Sequence, residues 1–173
     1  MTTWTLRRVN RITSMLLEVM RTLTDEGRDL PIRWNIMHMY SSSQIAKVLA
    51  LRRGMGEQAA ELASIVAALH DIAVVATKER DRHAEVAGEY VRDAIAKYNN
   101  GPWTHLPKVT KEEEDMLVNA IVQHSEKDVY TSDPFVELLK DVDSLDRYLH
   151  GAKTEGAYLE RCNRVMEELG IKR

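Results

Sequence analysis

Apolar residues recur along most of this chain at the three- and four-residue intervals of an amphipathic helix. Leu6, Val9, Ile12, Leu16, Val19 and Leu23 predict a first helix over about residues 4–23. Pro31 suits the first turn of a second helix, which runs to about Arg53 and stops at Gly54 and Gly56. Glu57 to Ala76 reads as a third helix, apolar nearly all round. Glu79 to Tyr98 reads as a fourth, broken by Asn99, Asn100, Gly101 and Pro102. Thr110 and Glu113 have capping-box spacing and open a fifth, ending near Lys127. Asp133 followed by Pro134 opens a sixth, which stops near Gly151, and Thr154 to Leu169 forms a seventh, closed by Gly170. No strand, repeat or linker is read. The expected fold is all-α, one compact single-domain bundle of about seven helices over residues 1–173.

Composition agrees. Ala, Leu, Met, Glu, Arg and Lys are plentiful, whereas eight Gly, four Pro and one Phe are few, which favours helix over sheet. With 44% apolar and 29% charged residues, neither a disordered chain nor a fibre is expected. Twenty-seven acidic residues against 24 basic ones leave a net charge of −3, which excludes binding driven by a phosphate backbone. No nucleic-acid polymer is therefore expected as a partner. The most apolar stretch, Leu62 to Ala76, is shorter than the roughly 20 residues that cross a bilayer, and His70 and Asp71 interrupt it. Met1 to Arg11 lacks the apolar core of a secretory leader. No membrane association is expected. Cys162 is the single cysteine, so no internal disulfide forms, and a reducing cytoplasm is the natural setting.

The chemistry lies where the pattern marks core. His70 and Asp71 follow Leu62, Ile65, Val66 and Leu69 inside the third helix. His124 shares a face with Leu117, Ala120 and Ile121, and Asp143 follows Val136 and Leu139 at helical spacing. His38 opens a face continued by Ser42, Ile45 and Leu49, and His83 precedes Val86 and Ala87. Imidazoles and carboxylates are costly to bury unless paired or bound to metal. A lone inward His is more often a hydrogen-bonded core residue, and a lone inward Asp a cap or salt-bridge partner. Six such residues from five helices need a common partner. A divalent cation is the natural one, because neutral imidazole and carboxylate are its ligands and bundles build metal sites from facing helices.

The order His38, His70-Asp71, Asp143 resembles the HD-domain superfamily of metal-dependent phosphohydrolases. Val66-Ala-Ala-Leu-His-Asp-Ile72 and Lys140-Asp-Val-Asp-Ser-Leu-Asp146 are similar to its two best-known blocks, and the resemblance spans about His38 to Gly151. It implies a first metal on His38, His70, Asp71 and Asp143. His83-Ala-Glu-Val-Ala-Gly88 and Ala120-Ile-Val-Gln-His124 resemble segments of a two-metal subset, which implies a second ion on His83 and His124 with Asp71 bridging. With one metal, the same two histidines become outer or phosphate-contacting groups. The implied cofactor is one or two divalent ions among Mn, Fe, Co, Ni, Mg and Zn. The chain departs from the family at Ala73-Val74, where many members have Gly-Lys, and Val74 stands where small deoxynucleotidases carry a glutamate. That departure weakens a nucleotidase assignment and leaves the ligands untouched.

The resemblance implies hydrolysis of a phosphate ester or anhydride of a small molecule, a nucleotide or phosphorylated metabolite, by metal-activated water. Asp71 is the expected group for orienting that water. Lys127, three residues beyond His124, and Arg147, four beyond Asp143, have spacings that place them at the rim as cations for phosphate, with a solvated surface as the plainer reading of both. The alternative is a non-catalytic metal-binding module, a scaffold or ligand sensor. Homo-oligomerisation is left open. His105 reads as a surface residue, His150 as a helix-end residue suited to the dipole, and Arg7, Arg8 and Arg11 as a solvated basic face. Met15, Met20, Met37, Met39, Met55 and Met116 read as core filling.

Overall fold

The computed structural model describes residues 7–171, so the expected helical positions Trp4 to Leu6 lie outside the described residues. Within that range eight helices succeed one another: α1 (Arg8–Met20), α2 (Ile32–Arg52), α3 (Glu57–Leu69), α4 (Ile72–Thr77), α5 (His83–Asn99), α6 (Lys111–Gln123), α7 (Pro134–Leu149) and α8 (Gly156–Glu168). No strand occurs among the described residues. All seven expected helices are present, and the third is divided, because the chain turns at His70 and Asp71 between α3 and α4. α5 begins four residues later than its pattern suggests, since Lys78 and Arg82 both adopt positive φ and interrupt the helix.

Local signals set the ends. Thr110 and Glu113 form a reciprocal capping box on α6, and Asp133 accepts from the amides of Phe135 and Val136 at the start of α7, with Pro134 in its first turn. Gly54, at φ 70°, supplies the left-handed residue that ends α2 and turns the chain into α3. Leu49, Ile65, Leu69, Ile95, Leu117, Leu138 and Leu145 are among the fully buried residues of one contiguous core. α3 lies at its centre, packed against α1, α2, α6 and α7.

The α2–α3 pair carries two of the buried histidines on one rigid frame. Ser43 Oγ donates to the carbonyl of Ser64, and Ser64 Oγ donates to the carbonyl of Ser43, both at 3.0 Å. This reciprocal pair fixes the register of two helices joined by a short turn. His38 lies five residues from Ser43 and His70 six from Ser64, so both stand roughly 7–9 Å along their helices from this lock, on the same side.

Two buried ionic groups tie the remaining helices in. Arg8, expected on a solvated face, is instead 5% exposed and joins α1 to Glu61 of α3 (3.1 Å) and Glu113 of α6 (2.7 Å). A helix pattern shows which residues are apolar, not which charges find buried partners. Arg161 of α8 is fully buried; it donates to the carbonyl of Lys127 (2.7 Å), to Glu137 (2.9 Å) and to Asp141 (2.9 Å), and Asp141 also takes Arg53, the residue that caps α2 (2.7 Å). α2, α7, α8 and the turn after α6 are thereby clamped together. Met20 and Met39 are core residues as expected, whereas Met37 is largely exposed. Glu57–Thr77 has the length and mean hydropathy of a membrane span, but it forms α3 and α4 and 72% of its most apolar window is buried inside the fold.

Candidate metal centre

The turn at His70–Asp71 lets two neighbouring residues serve one centre. His70 caps the C-terminus of α3 and Asp71 the N-terminus of α4, so their side chains are not held to the fixed angular spacing of a continuous helix. His38 comes from α2, His83 is the first residue of α5, His124 follows the last residue of α6, and Asp143 lies in α7. All six predicted residues meet. His38, His70 and Asp143 form one group whose donor atoms can share an ion, and His70, Asp71 and His124 form a second that overlaps it. His83 adjoins the second group, its Nε2 lying 3.1 Å from Asp71 Oδ1 and 3.0 Å from His124 Nε2.

Every imidazole is oriented the same way. His70 Nδ1 donates to the carbonyl of Ala67 (2.7 Å), His83 Nδ1 to that of Arg80 (2.7 Å) and His124 Nδ1 to that of Ile121 (2.6 Å). A carbonyl oxygen only accepts, so each Nδ1 carries the hydrogen and each Nε2 of a neutral ring is a bare lone pair. His38 Nδ1 is held in the same sense by a short hydrogen bond to Asp146 Oδ2. The Nε2 atoms then face one another in pairs, His38 against His70 and His83 against His124, each pair at 3.0 Å. Two lone pairs at that distance repel unless a cation or proton lies between them.

The carboxylates complete the arrangement. Asp143 Oδ1 is 3.2 Å from His38 Nε2 and 3.7 Å from His70 Nε2. Asp71 turns Oδ2 toward His38 (3.6 Å) and Oδ1 toward His83 (3.1 Å), His70 (3.7 Å) and His124 (3.8 Å). One carboxylate thus faces both halves of the cluster.

The electrostatics match a centre built for positive charge. Burial opposes ionisation of Asp71, but His70, His83 and His38 around it hold it far below the ordinary carboxylate range. Burial likewise works against Asp143, and Lys127, His38 and His70 hold it well below that range. Burial also disfavours the His38 imidazolium, yet hydrogen bonds to Asp143 and Asp146 and the charge of Asp71 push it up to about 10. His83 is drawn up against its burial by Asp71. His124 goes the other way: burial, with His70 and Lys127 nearby, lowers it to about 3, so it stays neutral. A proton on His38 takes the place that a cation would fill. Four imidazoles with lone pairs converging and Nδ1 tied back, together with two ionised carboxylates, are the donor chemistry of divalent transition-metal ions, so the residues fit such a group.

Lys127 sits differently from its expected rim position. α6 ends at Gln123, and the chain turns inward rather than continuing as helix. Lys127 is consequently 2% exposed, and its Nζ donates to Asp143 Oδ2 (2.6 Å) and to the carbonyl of His124 (2.6 Å). Its cation holds the far oxygen of a predicted ligand. Arg147 is half-buried, with its guanidinium 5.7 Å from the ring centre of Tyr158.

Sequence reasoning missed Asp146 and Tyr158. Asp146 is fully buried, and its Oδ1 has no hydrogen-bond partner, with His150 Nε2 3.6 Å away. The signal for Asp146 was present: it follows Asp143 by three residues, on the same helix face. His150, expected at a helix end, also lies 3.0 Å from Ser41 Oγ and edge-on to Trp34, whose ring stacks on His38.

Access is one-sided. The side chains of His38, His70 and His124 are 1% exposed, whereas those of Asp71 and His83 are 17% and 14% exposed. In front of His83 opens a cavity of about 330 Å³ lined by Arg80, Ser125 and Tyr158 among others.

Comparison with known proteins gives one match. The family model described as HD domain covers residues 35–148, which contains all six converging residues. No curated protein and no solved structure matches the chain significantly.

Proposed function

The chain belongs to the HD-domain family, and from that premise we propose that it is a metal-dependent phosphohydrolase acting on a phosphate ester or anhydride of a small molecule, a nucleotide or phosphorylated metabolite. The observation that carries this is the convergence of four Nε2 lone pairs and two carboxylates from separate helices. His38, His70, Asp143 and Asp71 would hold one ion, and His83, His124 and Asp71 a second, drawn from Mn, Fe, Co, Ni, Mg and Zn. A divalent ion bound there supplies water activated at neutral pH and charge for the oxygen that becomes negative on attack.

The chain's own residues set the conditions. Asp146 fixes the His38 tautomer and ring plane, and Lys127 pins Asp143 Oδ2 so that Oδ1 faces the imidazoles. Asp71 is the carboxylate nearest the opening and is ionised at any working pH, so it can accept a hydrogen bond from the attacking water and orient it. The fully buried floor of His38, His70 and His124 excludes bulk solvent.

A scaffold site would be closed on all sides, whereas a catalytic one keeps an open position. The partial exposure of Asp71, and of His83 beside a cavity, supports catalysis over a structural or sensing module. Cys162, buried with its Sγ 3.0 Å from the Ser144 carbonyl, supports a reducing cytoplasmic setting. The test is Asp71→Ala, with metal content by elemental analysis and turnover of generic phosphomonoesters and phosphodiesters in added Mn²⁺. Both metal content and turnover should be lost. A metal-free variant with full activity overturns the proposal, and a wild-type protein whose melting responds to metal without any turnover favours the scaffold.

A further inference from the structure

We infer that a groove between α1, α4 and α5 is a binding site for an aliphatic carboxylate of up to about ten carbons, its chain among apolar side chains and its head on Lys78 and Arg28. The groove shares no lining residue with the cavity in front of His83, so this site is independent of the hydrolytic reading of the cluster.

Three observations converge. The first is an apolar space open to solvent. The groove has a volume of about 310 Å³, within the roughly 300–1,000 Å³ of small-molecule sites. Leu16 and Val19 of α1, Ile72 and Val75 of α4, and Tyr90 and Ala94 of α5 supply much of its lining. Val19 is 55% exposed, so this surface meets water rather than lying sealed in the core. At roughly 30 Å³ for each water-sized unit, the space takes about ten methylene-sized groups.

The second is charge. The charged residues of the lining are Arg28, Lys78, Lys97 and Asp93, three cations and one carboxylate. Lys97 is paired with Asp93 at 2.7 Å. Arg28 donates to the carbonyls of Thr24 (2.8 Å) and Val75 (2.7 Å), and Lys78 Nζ to that of Glu26 (3.1 Å). Neither has a carboxylate partner among the described residues, so two positive charges stand uncompensated beside an apolar surface. The third is strain. Lys78 caps α4 at φ 71°, a left-handed position that glycine fills at less cost. Its carbonyl accepts from the amide of Asp29 at 3.0 Å, which fixes that backbone. A lysine kept there holds a cation at the groove where the cheaper residue would hold none, and strain of this kind collects at ligand clamps.

Together these features select the occupant. Two cations suit the two oxygens of a carboxylate, and each methylene buried adds to affinity. Acetate would leave the apolar surface wet, and an uncharged alcohol would leave both cations without an anion.

Calorimetry on the full chain as purified tests this with octanoate, decanoate, tetradecanoate and decanol, all below their micelle concentrations. Acetate controls for carboxylate binding elsewhere, including at an ion in the cluster. Decanoate should bind about fifteenfold more tightly than octanoate, about fourfold for each methylene, and tetradecanoate within about twofold of decanoate because the space is full. Decanoate should also exceed decanol about three- to tenfold at low salt, as for a partly exposed charged hydrogen bond. Lys78→Gln should remove most of that last preference while leaving decanol within about twofold. Ala94→Phe fills the groove and should abolish binding of both, with melting and acetate binding unchanged. Absence of decanoate binding to the wild type, binding that survives Ala94→Phe, or equal losses of decanoate and decanol in Lys78→Gln overturns the site. Affinity that keeps climbing to tetradecanoate overturns it as well. A wild-type dimer in sedimentation that Ala94→Phe dissociates assigns the groove to a second copy of the chain and overturns the carboxylate.

Discussion

Replacing Lys127 with Met probes the link between the buried lysine and the metal centre. Lys127 Nζ lies 2.6 Å from Asp143 Oδ2 in a place that is 2% exposed, and Met fills a similar volume without charge. Removing one member of a buried ion pair costs about 3–5 kcal/mol, because the other charge is left uncompensated. Asp143 Oδ1 still faces His38 at 3.2 Å, and His38 is protonated in the metal-free protein, so Oδ2 and the neutral His124 carbonyl lose their donor while the carboxylate keeps one charged partner. The lower end of the range, about 3 kcal/mol, is expected. At about 2–4 °C per kcal/mol for a domain of this size, the chelator-treated variant should melt about 6–12 °C below the wild type. With saturating Mn²⁺ the carboxylate has an ion as partner, and the deficit should fall to about half or less. By linkage, the variant then binds Mn²⁺ more tightly than the wild type, tenfold for each 1.4 kcal/mol or so recovered. Circular-dichroism melts in EDTA and in Mn²⁺, with calorimetric titration of the ion, measure all three quantities. An equal deficit in both conditions, or weaker Mn²⁺ binding, would refute the placement of Asp143 beside a cation.

The same geometry sets three further outcomes. His38 is pushed up to about 10 in the metal-free protein, so ion binding at neutral pH should release at least about one proton, with His124, lowered to about 3, contributing none. Titrations in buffers of different ionisation enthalpy count the protons, and a count of zero would contradict the arrangement. The same raised value stabilises the metal-free fold fully below the unfolded imidazole pKa of about 6.5, and that contribution is lost as pH climbs toward about 10. Melting of chelated protein should therefore fall between pH 7 and 10. Asp146→Asn keeps an acceptor for His38 Nδ1 but removes its charge, and metal affinity should drop about 10–100-fold; unchanged affinity would show that Asp146 does not tune His38.

Much of this was legible in the residues themselves. Helical spacing located the elements, and Thr110-Glu113 and Asp133-Pro134 marked the starts of α6 and α7, because capping depends on a few adjacent atoms. The six converging residues stood out as polar side chains on apolar faces. What could not be read was set by tertiary geometry. The break between α3 and α4 is invisible in a continuously apolar run, and the early end of α6 moved Lys127 from an expected rim position to the interior. Arg8 and Arg161 are buried because distant carboxylates meet them, Glu113 lying 105 residues from Arg8, and no local pattern encodes such a meeting. Tyr158 looks like any half-apolar helix residue until α8 is laid across α7.

The turn between α3 and α4 also bears on whether the most apolar segment could span a bilayer. Glu57–Thr77, 21 residues with a mean hydropathy of 1.7, has the length and composition of a bilayer span. Asp71, two-thirds of the way along it, would oppose partitioning into hydrocarbon. The split leaves rods of 13 and six residues, roughly 20 Å and 9 Å long at 1.5 Å per residue, against a hydrocarbon slab of about 30 Å. The turn at His70 and Asp71 thus leaves the greasiest segment of the chain as two rods, neither long enough by itself to cross that slab, and both are packed into the protein's own interior.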